Sequence, residues 1–151
     1  TQPADLFVAA SRSGCFVERV SLADTIDGKQ TAGLISCPTG WASARLLLEL
    51  CKQDAKRPEV RALADKLAEG RSAEAFARTA HAFVKARVRF EREEGEIFQG
   101  ALHSLALGVG DCDDHARLLF ALWASRGLPA RLGFLGKKGG DPKHVWAEVM
   151  I

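Results

Sequence analysis

Hydrophobic and polar positions along the chain change period several times. Residues 15–36, CFVERVSLADTIDGKQTAGLIS, set β-branched and aromatic residues around an Asp-Gly step. That predicts an extended pair with a turn near Asp27-Gly28. From Thr39 the period becomes helical. Thr39 is the expected N-cap of GWASARLLLELCKQDAK, with Trp41, Ala44, Leu48 and Cys51 as the apolar stripe. Pro58 opens a shorter helix that carries Val60, Leu63, Ala64 and Leu67 on one face and ends before Gly70. Ser72 begins the next, with Phe76, Ala80, Phe83, Val84 and Arg87 along one side.

EREEGE at 91–96 reads as a solvated loop, and IFQGALHSLA as a short turn or helix. Gly108-Val-Gly110 marks a tight approach of chain segments. A helix then starts at Asp111 or Cys112 and ends at Gly127. LPARLGFLG is a predicted strand and KKGGDPK a loop. From His144 to Ile151 the pattern alternates cleanly: His144, Trp146, Glu148 and Met150 on one side, Val145, Ala147, Val149 and Ile151 on the other. This order predicts an α+β domain with helices on one side of an antiparallel sheet. Residues 1–38 form an N-terminal extended or β segment, and 39–151 the main domain.

Composition narrows the classes. The 151 residues are 47% hydrophobic and 26% charged, as in a globular domain with a core. A net charge of +2 argues against a nucleic-acid partner or a polybasic membrane contact. No apolar run approaches the ~20 residues of a membrane helix. TQPADLFVAASRSG has neither the basic start nor the apolar block of a secretory signal. Cys15, Cys37, Cys51 and Cys112 include no CxxC pair, so four reduced thiols in a reducing compartment are expected. A Cys15–Cys37 disulfide is the alternative pairing.

The chemistry concentrates at GDCDDHA, residues 110–116. Cys112 shares a helix face with Ala116, Leu119, Phe120 and Trp123. It sits in the first turn, where the helix carries roughly half a positive charge and presents free N–H groups. That favours a thiolate and offers an oxyanion donor. Asp113 and Asp114 oppose it, although helical geometry should turn them away from the thiol. His144 is the expected activator, with its ring facing the helix while Val145 points the other way. Glu148 shares the His144 face but lies about 13 Å along the strand, too far to orient the ring.

The same aspartates invite other readings. Asp111, Asp113 and Asp114 form a low-ranking calcium possibility, because a helical turn splays carboxylates that calcium needs converging. Zinc on Cys112, His115 and His144 lacks a recognisable spacing. Capping with an ion pair from Asp113 or Asp114 to Arg117 is the plainer account. No metal and no cofactor is therefore expected. Trp123 reads as core, and Trp146 as a pocket wall shielding the site. His81 and His103 receive no role.

G-x-G-D-C-D-D-H-A, then LL-x-ALW-x-x-x-G-L-P-A-R, then H-V-W-A-E-V together resemble the core of the transglutaminase-like cysteine protease superfamily, itself related to papain-like enzymes. The resemblance is strongest over 108–151. A fainter likeness over 39–107 is to variants encoded by bacteriophages and prophages. It implies an α+β papain-like core with N-terminal helices and a Cys-headed central helix packed on an antiparallel sheet. It implies Cys112 as nucleophile and His144 as base. It also suggests Gln99 as a candidate oxyanion donor, since papain-like enzymes carry a Gln upstream of the nucleophile, although the longer spacing here makes a surface glutamine in a polar loop the plainer reading.

The family's acidic third residue normally lies on a strand following the histidine strand, and no carboxylate between His144 and Ile151 fills that place. The implied function is a cysteine-dependent peptidase or amidase working through a thioester, or a transamidase if an amine intercepts it. Its partner would be a peptide or protein substrate. The alternative is an inactive domain that serves a phage particle as a structural or peptide-binding component, among other phage structural proteins. A cytoplasmic or virion-associated location is favoured over a secreted one.

Overall fold

The computed structural model describes residues 3–25, 28–92, 98–136 and 140–151. It opens with helix α1, Pro3–Ser13. Segment 1–38 is therefore not wholly extended. The missed signal is Leu6, Ala9, Ala10 and Ser13, spaced i, i+3, i+4 and i+7 and all buried. β1 (Phe16–Thr25) and β2 (Gly28–Ser36) follow as the expected antiparallel pair. The turn between them, at 26–27, lies outside the described residues.

Cys15 and Cys37, at the two ends of this hairpin, form a disulfide with Cα atoms 4.4 Å apart. This corrects the expectation of four free thiols; Cys51 and Cys112 remain free. The hairpin register brings the two cysteines together: Phe16 opposes Ser36, so the residues just outside that pair are neighbours.

α2 (Gly40–Asp54) is capped by Thr39, whose Oγ1 accepts the Ala42 N–H at 3.0 Å. Its buried face is wider than the expected stripe. Ala42, Leu46 and Leu50 meet α1 and the hairpin, while Leu47 and Cys51 face the opposite core. Trp41 is exposed. α3 (Pro58–Ala68) buries Val60, Ala64 and Ala68, and α4 (Ala73–Arg87), capped by Ser72, buries Phe76, Ala77, Ala80 and Val84.

β3 (Arg89–Phe90) is short. The loop expected at 91–96 falls mostly outside the described residues. α5 (Ala101–Leu107) ends at Gly108, whose φ of 76° completes the left-handed cap. β4 (Val109–Gly110) pairs in parallel with β3. α6 (Cys112–Ser125) is the central helix. β5 (Ala130–Gly136) and β6 (Pro142–Val149) are antiparallel, with Leu135 opposite His144 and Gly133 opposite Trp146. The KKGGDPK loop lies partly outside the described residues.

The class is α+β, as expected. The sheet is not one layer: among the described residues there are three two-stranded pairs, one of them parallel. The physical reason is α6. It is apolar nearly all round, with Leu118, Ala121 and Leu122 fully buried, so every other layer packs on it. One side of α6 meets α3 and α4 through Leu118, Leu122 and Trp123. The other side meets α2, β5 and β6 through Ala116 and Phe120. Each such Leu contributes about 1.5–3 kcal/mol by leaving water.

Beneath this packing lies an ion pair. Arg117 Nε donates to Asp54 Oδ2 at 2.6 Å, both side chains are buried, and Asp54 also accepts the Ala101 N–H at 3.1 Å. Arg117 thus pairs across the core with α2, and not with Asp113 or Asp114 on its own helix. Burial opposes its charge, and the Asp54 carboxylate overrides burial, holding the guanidinium above its ordinary value.

Candidate active site

The helix start is built by two aspartates acting reciprocally. Asp111 is the N-cap of α6 and its Oδ1 accepts the N–H groups of Asp113 (3.1 Å) and Asp114 (3.3 Å). Asp114, buried, returns a carboxylate oxygen to the Asp111 N–H at 3.0 Å. This is a capping box with aspartate in both places. Gly110 is required by it: a Cβ there would collide with the Asp114 side chain. Two of the three carboxylates in GDCDD therefore point at backbone amides. Among the described residues no group of three or more His, Cys, Asp or Glu is arranged for a metal ion.

Cys112 occupies the first helical position, half-buried against Ala116, Phe120 and Val145. Its thiol is pushed above its ordinary value, chiefly by burial. The backbone N–H of Val145 pulls the other way, while the charges of Asp113 and Asp111 add to the rise. Asp113 Oδ1 lies 3.9 Å from Sγ, so this carboxylate does not turn away from the thiol as helical geometry suggested. Of the first-turn amides, those of Asp113 and Asp114 are taken by Asp111. Among the described residues the Cys112 N–H has no acceptor, which leaves it to a ligand.

His144 and Cys112 border one cavity of about 680 Å³. Leu47 of α2, Phe98, Phe134 of β5 and Val145 form its apolar walls, and Phe90, Arg92 and Lys143 also border it. His144 does not face α6, however. Val145, Ala147 and Val149 turn inward to the apolar stripe of α6, and His144, Trp146 and Glu148 take the outer face. Burial of the three apolar residues decides this alternation. Among the described residues the partners of Sγ are the Asp113 carboxylate and the Val145 N–H, not His144.

Trp146 is not a wall of the cavity. Its indole lies over Gly133, where a Cβ would collide with it, and its N–H donates to Glu148 at 2.8 Å. Its ring is 5.8 Å from that of His144. Glu148 also accepts from Arg131 at 2.6 Å, and these two donors, Trp146 first, hold its carboxyl below the ordinary value. Gln99 is buried and its Nε2 donates to Asp114 at 2.9 Å. It is neither the surface residue nor a cavity wall; it braces the capping carboxylate beneath Cys112.

Sequence reasoning missed how α2 closes this side of the cleft. The Asp141 carboxylate accepts the Gly40 N–H at 3.1 Å, and the Trp41 indole donates to the Gly140 carbonyl at 3.2 Å while meeting Phe134 edge-on. Asp141 thus serves the start of a helix about a hundred residues away. The only local signal was an Asp-Pro step opening the strand.

The transglutaminase-like superfamily model matches residues 61–151, more than half of the chain, and the protein belongs to that superfamily. The match contains both Cys112 and His144 and carries no phage assignment. No curated protein and no solved structure gives a match. Among the described residues no helix is long and apolar enough to cross a membrane.

Proposed function

We propose that the chain is a cysteine-dependent amide hydrolase of the transglutaminase-like superfamily, with Cys112 as nucleophile and His144 as general base. The observation that carries this is the shared cavity. A thiol at a helix start and an imidazole on the neighbouring strand border one cleft of substrate size. Sγ attacks the amide carbonyl and His144 takes the thiol proton. The Cys112 N–H steadies the oxyanion, and His144 returns the proton to the leaving amine. Water then cleaves the thioester; an amine attacking instead gives transamidation. Burial, the larger cause, and Asp113 raise the thiol above its ordinary value, so the reading requires His144 to take the thiol proton as attack begins.

A second reading is favoured by two observations: burial and Asp113 raise the thiol above its ordinary value, and the Asp113 carboxylate lies 3.9 Å from Sγ. In that reading the domain binds a peptide in the same cleft without cleaving it. The Cys15–Cys37 disulfide supports an oxidising compartment for either reading.

A p-nitrophenyl ester burst experiment separates them. The hydrolase should release about one equivalent of nitrophenol in a burst with an acyl group on Cys112. The burst should vanish in Cys112→Ala and slow by roughly 10²-fold or more in His144→Ala. An acyl group landing elsewhere, or a burst indifferent to His144→Ala, favours the binding module.

A further inference from the structure

Two cations border the cavity that Cys112 borders: Arg92, just past β3, and Lys143 on β6. β3 runs parallel to β4, and the Glu91 N–H donates to the Gly110 carbonyl at 2.9 Å. That bond carries the chain past β4, and Arg92 borders the same cavity as Asp111 and Cys112. Lys143, on β6 one residue before His144, borders it too. Both border the cavity, both are exposed, and among the described residues neither makes an ion pair. The cleft also holds Asp111 and Asp113, half-buried. Asp111 is spent on the helix amides, at a helix end that favours a negative charge, and Asp113 lies against Sγ. Among the described residues that border the cavity, the uncommitted charge is thus positive, over apolar walls that lower the local dielectric and lengthen its reach.

We propose that Arg92 and Lys143 select an amide substrate carrying a carboxylate close to the reacting carbonyl, such as a peptide with an acidic residue beside the scissile bond. This deepens the hydrolase reading and rests on Cys112 as the reacting thiol. Arg92 offers a fork that matches a carboxylate, and Lys143 a point charge; a neutral or basic substrate would leave both unpaired and meet Asp113.

The charge preference is measurable without turnover. The intact chain is treated at low salt with anionic 2-sulfonatoethyl and cationic trimethylammonioethyl methanethiosulfonates. Modification of Cys112 is followed by peptide mass spectrometry and normalised to a small free thiol. The anionic reagent should be favoured roughly five- to tenfold, and the preference should disappear in the Arg92→Gln/Lys143→Gln double variant and in high salt. A preference for the cation, or a ratio unchanged in the double variant, overturns the proposal. In a second arm, paired peptide amides differing only by Glu or Gln beside the scissile bond should differ in kcat/KM, and the double variant should lose the difference. Equal kcat/KM overturns the selectivity while leaving the hydrolase reading intact. If neither peptide is cleaved, the hydrolase reading fails and the reagent ratio alone judges the cationic mouth.

Discussion

Asp113 is the residue on which the resting chemistry turns. Its neighbours in the capping box face backbone amides, but its own Oδ1 stands 3.9 Å from Sγ. A negative charge there disfavours a second one on sulfur, so it adds to the burial that raises the thiol. Asp113→Asn removes the charge and keeps the shape. The alkylation of Cys112 by iodoacetamide should then reach its half-maximal rate at lower pH than in the intact chain. The thiol should still titrate above an ordinary one, because burial, the larger cause, remains. A midpoint that stays put or moves upward would mean that Asp113 does not set the thiol's state. Cys51 serves as an internal control: its thiol is pushed up to about 12, chiefly by burial, and it should stay unlabelled.

Between elements, the Asp54–Arg117 pair fastens α2 and the start of α5 to the central helix. Three interactions converge on one carboxylate: two from the guanidinium and one from the Ala101 amide. Removing one partner leaves a buried charge alone, so Asp54→Ala should cost about 3–5 kcal/mol in urea denaturation. The double change Asp54→Leu/Arg117→Met should recover most of that loss, because it leaves no orphan charge. Equal losses in the single and double variants would assign the cost to packing instead. The same logic explains why periodicity alone paired Arg117 with the wrong partner. Spacing along one helix sees neighbours at i+3 and i+4, whereas Asp54 is 63 residues away and arrives only through packing.

At the scale of the whole molecule, the N-terminal unit of α1 and the β1–β2 hairpin is pinned just before the wall of the cleft. Cys37 precedes Thr39, which caps α2, and Gly40, which borders the cavity and receives Asp141. The disulfide closes a separation of 22 residues, and a loop of that size stabilises by about 3 kcal/mol. Dithiothreitol, or the Cys15→Ala/Cys37→Ala variant, should lower the urea midpoint accordingly, with the two treatments agreeing. Agreement matters because it separates loss of the bond from damage at Cys112. An unchanged midpoint would show that the bridge does not form in solution.

The sequence by itself determined what depends on near neighbours. The cap at Thr39, the helix starts at Ser72 and at Asp111 or Cys112, the stops at Gly70 and Gly127, and the alternation from His144 onward are all local physics, and they stand. So does the family, because its motif strings sit within short spans of chain. Only the tertiary structure decided the rest. Which face of β6 turns inward was settled by the apolar side of α6, and it put Val145 inward where His144 had been expected. Gln99 went to Asp114, Trp146 to Glu148, and the cysteines of the hairpin to each other. In each case several polar or sulfur partners were equally compatible with the sequence. Burial chose among them, because a polar group taken out of water must bind whichever partner the packing brings within reach.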